Sequence, residues 1–305
     1  NQRDVVKNER RQRVDNVPYG TADEKIAKTI YPPTHPYSWP VIGFMEDLSA
    51  ASLEDVKDFF RTYYAPNNAV LSIAGDFNPA EAKELVNKYF AAINRGKEFE
   101  RPKPGAVTLD GNKQMTFEDK VQLPRLYLTW HSPASYTRED AVLTVLAGIL
   151  SSGKNSRFYK SMVYDRQIAQ SVFASASSSE IAGTFDIQVS AKPGRTLTEM
   201  QTAVDSILAV LLANGVTEKE IEKVLTATES SVVNRAQTVL GKANTLANYH
   251  CQTGDANDIN KQLDLFTGIT PQEVLTVAKK YLTQPRMTLS IVPVGKPELA
   301  VSKGE

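Results

Sequence analysis

The sequence of 305 residues is poor in the side chains that usually bind metals. It has one cysteine, Cys251, and three histidines, His35, His131 and His250. A single cysteine excludes an internal disulfide and a cysteine-based zinc site. None of the histidines has another four residues away, the spacing that places two imidazoles on one helical face. We therefore expect each histidine to be a hydrogen-bonded structural residue rather than a zinc ligand.

The chain also lacks net charge and long apolar runs. Lys+Arg and Asp+Glu both number 35, so there is no basic footprint for nucleic acid. No apolar run approaches the ~20 residues that a helix needs to cross a bilayer, so no membrane span is expected. With 41% hydrophobic and 23% charged residues, the composition is that of a globular protein, and the length favours two compact domains.

The beginning of the sequence resembles the middle of a domain. There is no initiator Met, no signal peptide and no N-cap residue ahead of the helical pattern of residues 1–13. We therefore expect the chain to be part of a larger protein. Glu9 lies on the polar face of this helix beside Arg10 and Arg11, where a Glu usually makes exposed ion pairs worth ~0.3–0.5 kcal/mol.

Two segments of the sequence repeat each other. Residues 52–79 and 270–297 align at a constant offset of 218 residues, as from Val56 to Val274. Each copy starts with a Ser or Thr N-cap, continues through an amphipathic helix, breaks at a proline and enters a β-rich segment. The separation is too long for a solenoid repeat, so it predicts a duplicated domain.

The remaining pattern mixes helices with strands joined by short turns, which predicts an α+β fold. Residues 95–112, rich in Gly, Pro and charge, are the predicted linker between domains at 1–94 and 113–305. The first domain has one predicted strand, at 69–74. The four prolines within residues 31–40 exclude a helix and predict an ordered aromatic loop. Strands in the second domain are predicted at residues 115–121, 125–131, 171–177 and 184–191.

Residues 3–12, RDVVKNERRQ, with Pro-Tyr-Gly at 18–20 and the proline loop, resemble the pitrilysin/insulinase zinc metallopeptidases, in particular their bacterial members. The resemblance implies two homologous halves forming a clam shell, each an antiparallel sheet with helices on one side, the first incomplete here. It also implies that Glu9 is the distal zinc ligand. In that family a His-x-x-Glu-His helix supplies two further ligands and the general base. That motif does not occur in this chain.

The second half offers candidate substrate-binding residues. Members of this family carry an Arg and a Tyr seven residues apart there, which stabilise the developing oxyanion. The matching positions in this chain are Val163 and Gln170. Gln170 can still donate a hydrogen bond through its amide, and Arg166 or Tyr164 lies close enough in sequence to compensate for Val163. The resemblance thus implies Gln170 and Arg166 as substrate-binding residues, and leaves open whether this half contributes to chemistry or only forms the substrate chamber.

An earlier helix gives a fainter repeat. Residues 3–9 align with 222–228, which places Thr228 where Glu9 stands in the first copy. The second copy then has no metal carboxylate, although neighbouring Glu229 is one residue away. This pattern is typical of a family in which only the first half binds zinc.

These observations predict the C-terminal portion of a zinc endopeptidase that hydrolyses peptides inside a closed shell. Zinc is expected in the intact enzyme, together with an N-terminal segment or a partner subunit. By itself the chain is expected to be inactive and not to bind zinc tightly, since a hydrolytic zinc needs about three protein ligands. The two alternatives are a non-catalytic subunit that binds a partner carrying the His motif, and a metal-free peptide-binding or structural module. The sequence upstream of Asn1 would separate them. The compartment is not fixed by the sequence, although exported relatives with the proline loop point to the periplasm.

Overall fold

A computed structural model of the protein describes residues 2–302, which divide into two compact units. The first unit takes residues up to 45, residues 103–226 and residues from 265 onward. It contains the sheet. The second unit takes residues 46–102 and 227–264 and contains helices and extended chain.

The helices follow the sequence periodicity closely. They are α1 Gln2–Arg10, α2 Ala22–Ile30, α3 Met45–Ala50, α4 Leu53–Tyr63, α5 Pro79–Phe90, α6 Arg138–Ser151, α7 Leu197–Asn214, α8 Glu218–Gln237, α9 Val239–Thr253 and α10 Pro271–Leu282. Two π-helical turns cover Arg11–Asp15 and Tyr159–Asp165. By length and composition, no single helix of residues 2–302 could cross a membrane; α7 and α8 meet the criterion only as a pair, and that pair is bent by 110°.

The strands form a mixed sheet. They are β1 Lys113–Asp119, β2 Arg125–Ser132, β3 Ala169–Ser178, β4 Gly183–Ala191 and β5 Met287–Pro293. Their order is β1-β5-β2-β4-β3. The outer pair β1 and β5 is parallel, and the other neighbours are antiparallel. The predicted α+β class is confirmed, and the four strands predicted in residues 113–191 are all formed.

One face of the sheet carries the main core. Leu128 and Trp130 of β2 are buried there, together with Leu146 of α6, Val204 of α7 and Val277 of α10. Side chains of a strand alternate between faces, so every second residue of β2 reaches this core. Burial of each such side chain contributes roughly 1.5–3 kcal/mol. The helices that close this face therefore determine most of the stability of the first unit.

The opposite face is partly covered by α2. Ile26 and Ile30 of α2 pack with Tyr127, Leu289 and Ile291 of the central strands in a second apolar cluster. The helix repeats apolar residues every four positions, which gives it one apolar face that needs a partner. The proline loop follows directly, and its Tyr31 and Tyr37 also lie against this face.

The two repeated segments agree in their helices and differ in their strands. Both α4 and α10 begin after a capping side chain, Ser52 or Thr270, and both are followed by a proline break. In the second copy β5 follows, buried along its whole length. The strand predicted at 69–74 is not formed. A strand needs a neighbour to satisfy its backbone N–H and C=O groups, and no strand of residues 2–302 pairs with this segment.

The division into residues 1–94, 95–112 and 113–305 concerns homologous halves and stays a prediction. The boundaries of the compact units differ from these predicted boundaries because residues up to 45 pack with the sheet.

Close packing of α6 against α8 is testable at Gly148. A Cβ at this position would lie 2.6 Å from Val224 Cγ1, far inside van der Waals contact. We expect Gly148→Ala to lower the free energy of unfolding by about 1–2 kcal/mol, because overpacking outweighs the ~1 kcal/mol gain in helix propensity. In a protein that already carries Val224→Ala, the Cβ at residue 148 has room. Adding Gly148→Ala to that protein should therefore lower the free energy of unfolding much less than it does in the wild type. Urea denaturation of the four proteins measures the coupling, and a stabilised Gly148→Ala variant would contradict this packing.

Candidate functional site

A cavity of about 400 Å³ with mixed polar and apolar walls lies on the sheet face that α2 partly covers, and we call it the α2 cavity. Strands β2, β3 and β4 form its floor, and α2 with the proline loop forms its wall. Its polar and aromatic lining residues are Asp23, Tyr31, Tyr37, Tyr127, Phe173, Ser175, Ser177, Ser179, Thr184, Asp186 and Gln188. None of the lining residues within 2–302 is basic.

Asp186 is the carboxyl group in the floor of the α2 cavity. Its two oxygens accept hydrogen bonds from Thr129 Oγ1 at 2.8 Å and from Thr184 Oγ1 at 2.6 Å. The first of these bonds joins residues that face each other across β2 and β4. Burial raises the pKa of Asp186, and the negative charge of Asp23 adds to this effect. The site thus holds a desolvated carboxyl group whose neighbours only donate hydrogen bonds.

Aromatic rings of the proline loop fix the wall of the α2 cavity. Tyr31 stacks on His35 with 4.5 Å between ring centroids and meets His131 edge-on at 5.2 Å. The Tyr37 hydroxyl accepts a hydrogen bond from the Ile181 backbone N–H at 3.2 Å. Burial raises the pKa of Tyr31 to about 12, so its phenol stays neutral at physiological pH. The loop is ordered and aromatic, as its composition predicted.

Two of the three histidines are structural, as predicted. His35 is buried, and its Nδ1 accepts a hydrogen bond from the Tyr37 backbone N–H at 3.1 Å. His131 Nε2 donates to the Ile30 carbonyl at 3.1 Å, because a carbonyl oxygen can only accept. Burial lowers the pKa of both imidazoles. His250 lies exposed on α9.

Glu9 lies on the exposed side of α1. Its Oε1 is 3.2 Å from Arg13 Nη1, an ion pair one helical turn apart. Among residues 2–302 no group of three or more His, Cys, Asp or Glu side chains is arranged to hold a metal ion. The chain by itself therefore does not fit a hydrolytic zinc, to which it would offer one carboxylate where about three ligands are needed. A metal-ligand role for Glu9 stays a prediction.

Arg10, the neighbour of Glu9, is buried and holds α1 in place. Its Nη1 donates to the Gly43 carbonyl at 2.7 Å, and its Nη2 donates to Glu24 of α2 at 2.8 Å. Burial alone would raise the pKa of Glu24, yet hydrogen bonds from Arg10 and Lys28 lower it below its usual value. No local pattern distinguishes Arg10 from the other basic residues of this helix, since burial of one Arg depends on which elements pack around it.

The structure does not bring the remaining predicted residues to the α2 cavity. Gln170 is exposed at an irregularity of β3, where the register with β4 shifts between Ala169 and Ser171. Arg166 is exposed after the second π-helical turn and lines another cavity, of about 370 Å³, with residues of α7. Glu9 and Gln170 line neither cavity. The substrate-binding roles of Gln170 and Arg166 are untested and stay predictions.

The α2 cavity was missed from the sequence, although β4 carries a signal for it. Strand β4 alternates Phe185, Ile187 and Val189 toward the core with Thr184, Asp186 and Gln188 toward the cavity. Asp is rare in strand interiors. An Asp at the centre of an otherwise regular strand therefore indicates a special environment.

A mixed five-stranded sheet with helices α6, α7 and α10 on one face, and α2 beside a cavity on the other, defines an α+β domain. Residues 50–228 match the family model described as Peptidase M16 inactive domain. That match covers more than half of the chain, which therefore belongs to this M16 peptidase family. The family resemblance drawn from the first residues and the proline loop is confirmed.

Relatives of the chain are named zinc proteases. The sequence is 27% identical over 293 residues to zinc protease PqqE of Helicobacter pylori, covering 94% of this chain and 65% of that protein. A crystal structure of a protease from Helicobacter pylori matches with a TM-score of 0.86 at 26% identity, covering 95% of this chain and 70% of that one. The peptidase M16 inactive domain from Pseudomonas fluorescens shares the fold, with a TM-score of 0.81 at 18% identity and coverage of 99% and 72%.

The raised pKa of Asp186 makes a prediction about pH and stability. The folded protein keeps this proton at pH values where the unfolded chain, with a pKa near 3.8, has lost it. The free energy of unfolding of the wild type should therefore fall, relative to that of Asp186→Asn, as pH rises from below 3.8 toward neutrality. Urea denaturation at a series of pH values tests this. The exposed Asp264→Asn serves as the control, and a difference between wild type and Asp186→Asn that does not change with pH would show that Asp186 is not desolvated.

Proposed function

We propose that this chain forms part of a zinc endopeptidase: the end of the metal-binding half and the second, non-catalytic half that encloses the peptide. In this proposal Glu9 is a carboxylate ligand of the zinc ion, and a His-x-x-Glu-His segment outside residues 1–305 supplies the other ligands. Gln170 and Arg166 bind the peptide substrate. The observation that carries the proposal is the family match over residues 50–228.

Two further observations support it. The similarity to PqqE extends over 94% of this chain while the chain spans 65% of that protein's length, which leaves room for a metal-binding segment elsewhere in a protein of that kind. Glu9 is half-exposed on a helix whose position is fixed through buried Arg10, and only the surface ion pair with Arg13 would have to give way for its carboxylate to reach a metal held by another segment.

Exposed apolar side chains of the second unit agree with such a segment. Leu53, Phe59 and Phe60 of α4 are more than half exposed, and so are Tyr89 and Phe90 of α5. A concentration of large apolar side chains at a surface marks an interaction site. Such residues fit a further segment of the same protein, and equally a separate subunit that carries the His motif. The sequence upstream of Asn1 distinguishes the two arrangements, since only the first places the motif on this polypeptide.

The role of Glu9 is tested with Glu9→Gln in protein that also contains a His-x-x-Glu-His segment, on the same chain or added as a separate one. Cleavage of a fluorogenic peptide should fall by about 100-fold or more, since even residues that only orient a metal ligand are worth 10–100-fold. Zinc content should fall with it. The free energy of unfolding should change by no more than ~0.5 kcal/mol, because the side chain is exposed.

The matched control is Glu229→Gln, the same change at an exposed position of α8, close to the place in the second copy that aligns with Glu9. It should retain full activity and zinc. Full activity in the Glu9→Gln protein would show that Glu9 is only a solvated helix residue.

The chain by itself should bind zinc no better than a generic surface site. One candidate carboxylate without partners cannot supply the coordination that a structural or catalytic zinc requires. Isothermal titration of the purified chain with zinc measures this. A tight complex of one zinc per chain would contradict the proposal and would place the metal site inside residues 1–305.

A further inference from the structure

We propose that the α2 cavity binds the cationic side chain of a Lys or Arg residue in the peptide. The geometry points to two carboxylates at different depths, Asp23 exposed at the rim on α2 and Asp186 in the floor on β4. That the cation belongs to a peptide rests on the proposed function. The cationic chemistry rests on the cavity alone.

The charge of the cavity is unbalanced. It has two carboxylates, and none of the lining residues in the described range 2–302 is a Lys, Arg or His. The partners of Asp186 are three hydroxyls, those of Thr129 and Thr184 on its two oxygens and that of Ser177, and these neutral donors leave its charge uncompensated. A carboxylate can accept about four hydrogen bonds. Asp186 therefore retains acceptor capacity for a donor that enters the cavity.

The walls suit the rest of a basic side chain. Tyr31, Tyr127 and Phe173 present aromatic rings, and Ile26 and Ile30 add apolar surface. Aromatic faces attract ammonium and guanidinium groups, and apolar walls accommodate the methylene stem of Lys or Arg. The volume of about 400 Å³ falls within the ~300–1,000 Å³ range of ligand pockets.

The same features select against other ligands. An anionic side chain would meet Asp23 and Asp186 without a cation to offset them. A purely apolar side chain would displace water from Asp186 and leave that carboxylate without a new donor, which costs free energy. A charged donor gains a hydrogen bond of roughly twice the strength of a neutral one. The chemical class that the cavity favours is therefore a guanidinium or an ammonium.

The experiment measures binding of a fluorescein-labelled peptide to the full chain by fluorescence anisotropy, without zinc. The peptide has one Arg in a background of Ala, Ser and Gly. The paired peptide has citrulline in place of Arg, which keeps the shape and three of the five N–H donors, replaces one nitrogen with a carbonyl oxygen and removes the charge. We expect the wild type to bind the Arg peptide at least about 10-fold more tightly than the citrulline peptide, which corresponds to about 1.4 kcal/mol. Equal affinities of the two peptides would overturn the proposal.

Variants assign the effect to the cavity. Asp186→Asn should abolish the preference for Arg over citrulline, and Asp23→Asn, on the exposed rim, should reduce it without disturbing the fold. Asp264→Asn, which removes an exposed carboxylate outside the cavity, should keep the full preference. Thermal unfolding confirms that each variant is folded. Retention of the full preference in folded Asp23→Asn, or in folded Asp186→Asn, would overturn the proposal.

A last arm separates this proposal from the proposed function. N-acetyl-arginine amide is added as competitor. If N-acetyl-arginine amide must be about 10-fold more concentrated than the unlabelled Arg peptide to displace the labelled peptide, a peptide ligand is supported. If it competes equally well, the cavity recognises the cation but the peptide part of the proposal fails. If the zinc-containing wild-type protein does not cleave the fluorogenic peptide but still prefers Arg to citrulline, the proposed function is contradicted and the cation site is supported.

Discussion

The alternation of side chains along the central strands determines the architecture of the first unit. Every second residue of β2 points to the same face, so Leu128 and Trp130 reach the main core while Tyr127 reaches the opposite face. Helices α6, α7 and α10 close the first face. The second face has one short helix, α2, which covers the apolar part near β5 and leaves the polar part over β3 and β4 open. The α2 cavity is therefore a direct consequence of a sheet with more surface than its second helical layer covers.

Burial of Arg10 links this architecture to the candidate metal ligand. Adjacent side chains on a helix point about 100° apart. Because Arg10 is turned inward to Glu24 and the Gly43 carbonyl, Glu9 is directed to solvent. The ion pair between α1 and α2 also holds α1 next to the helix that forms the cavity wall. The position of Glu9 and the shape of the cavity thus depend on the same buried guanidinium.

Local sequence signals predicted most of the elements. The capping residues Ser52 and Thr270 of the two repeated segments each accept a hydrogen bond from a backbone N–H of the first helical turn, as the repeat predicted. The prediction of a strand at 69–74 was wrong for a physical reason. Its sequence closely matches that of β5, yet β5 has β1 and β2 beside it and residues 69–74 pair with no strand in the part of the chain that the structure describes. Strand formation depends on a neighbour that may be distant in sequence, and a local pattern cannot supply one.

The sequence by itself determined the fold class, the helices of the two repeated segments, the aromatic loop and the family, because these depend on periodicity, capping and short motifs that are written locally. It also identified Glu9, Arg166 and Gln170 as residues to consider. Only the tertiary structure decided which polar residues meet. It buried Arg10, separated Arg166 from Gln170, and placed Asp186 with Asp23 around one cavity. The reason is that Arg10 and Glu24 lie on different helices and Asp23 and Asp186 lie far apart in the sequence, so their distances are set by how α1 and α2 pack rather than by any spacing along the chain.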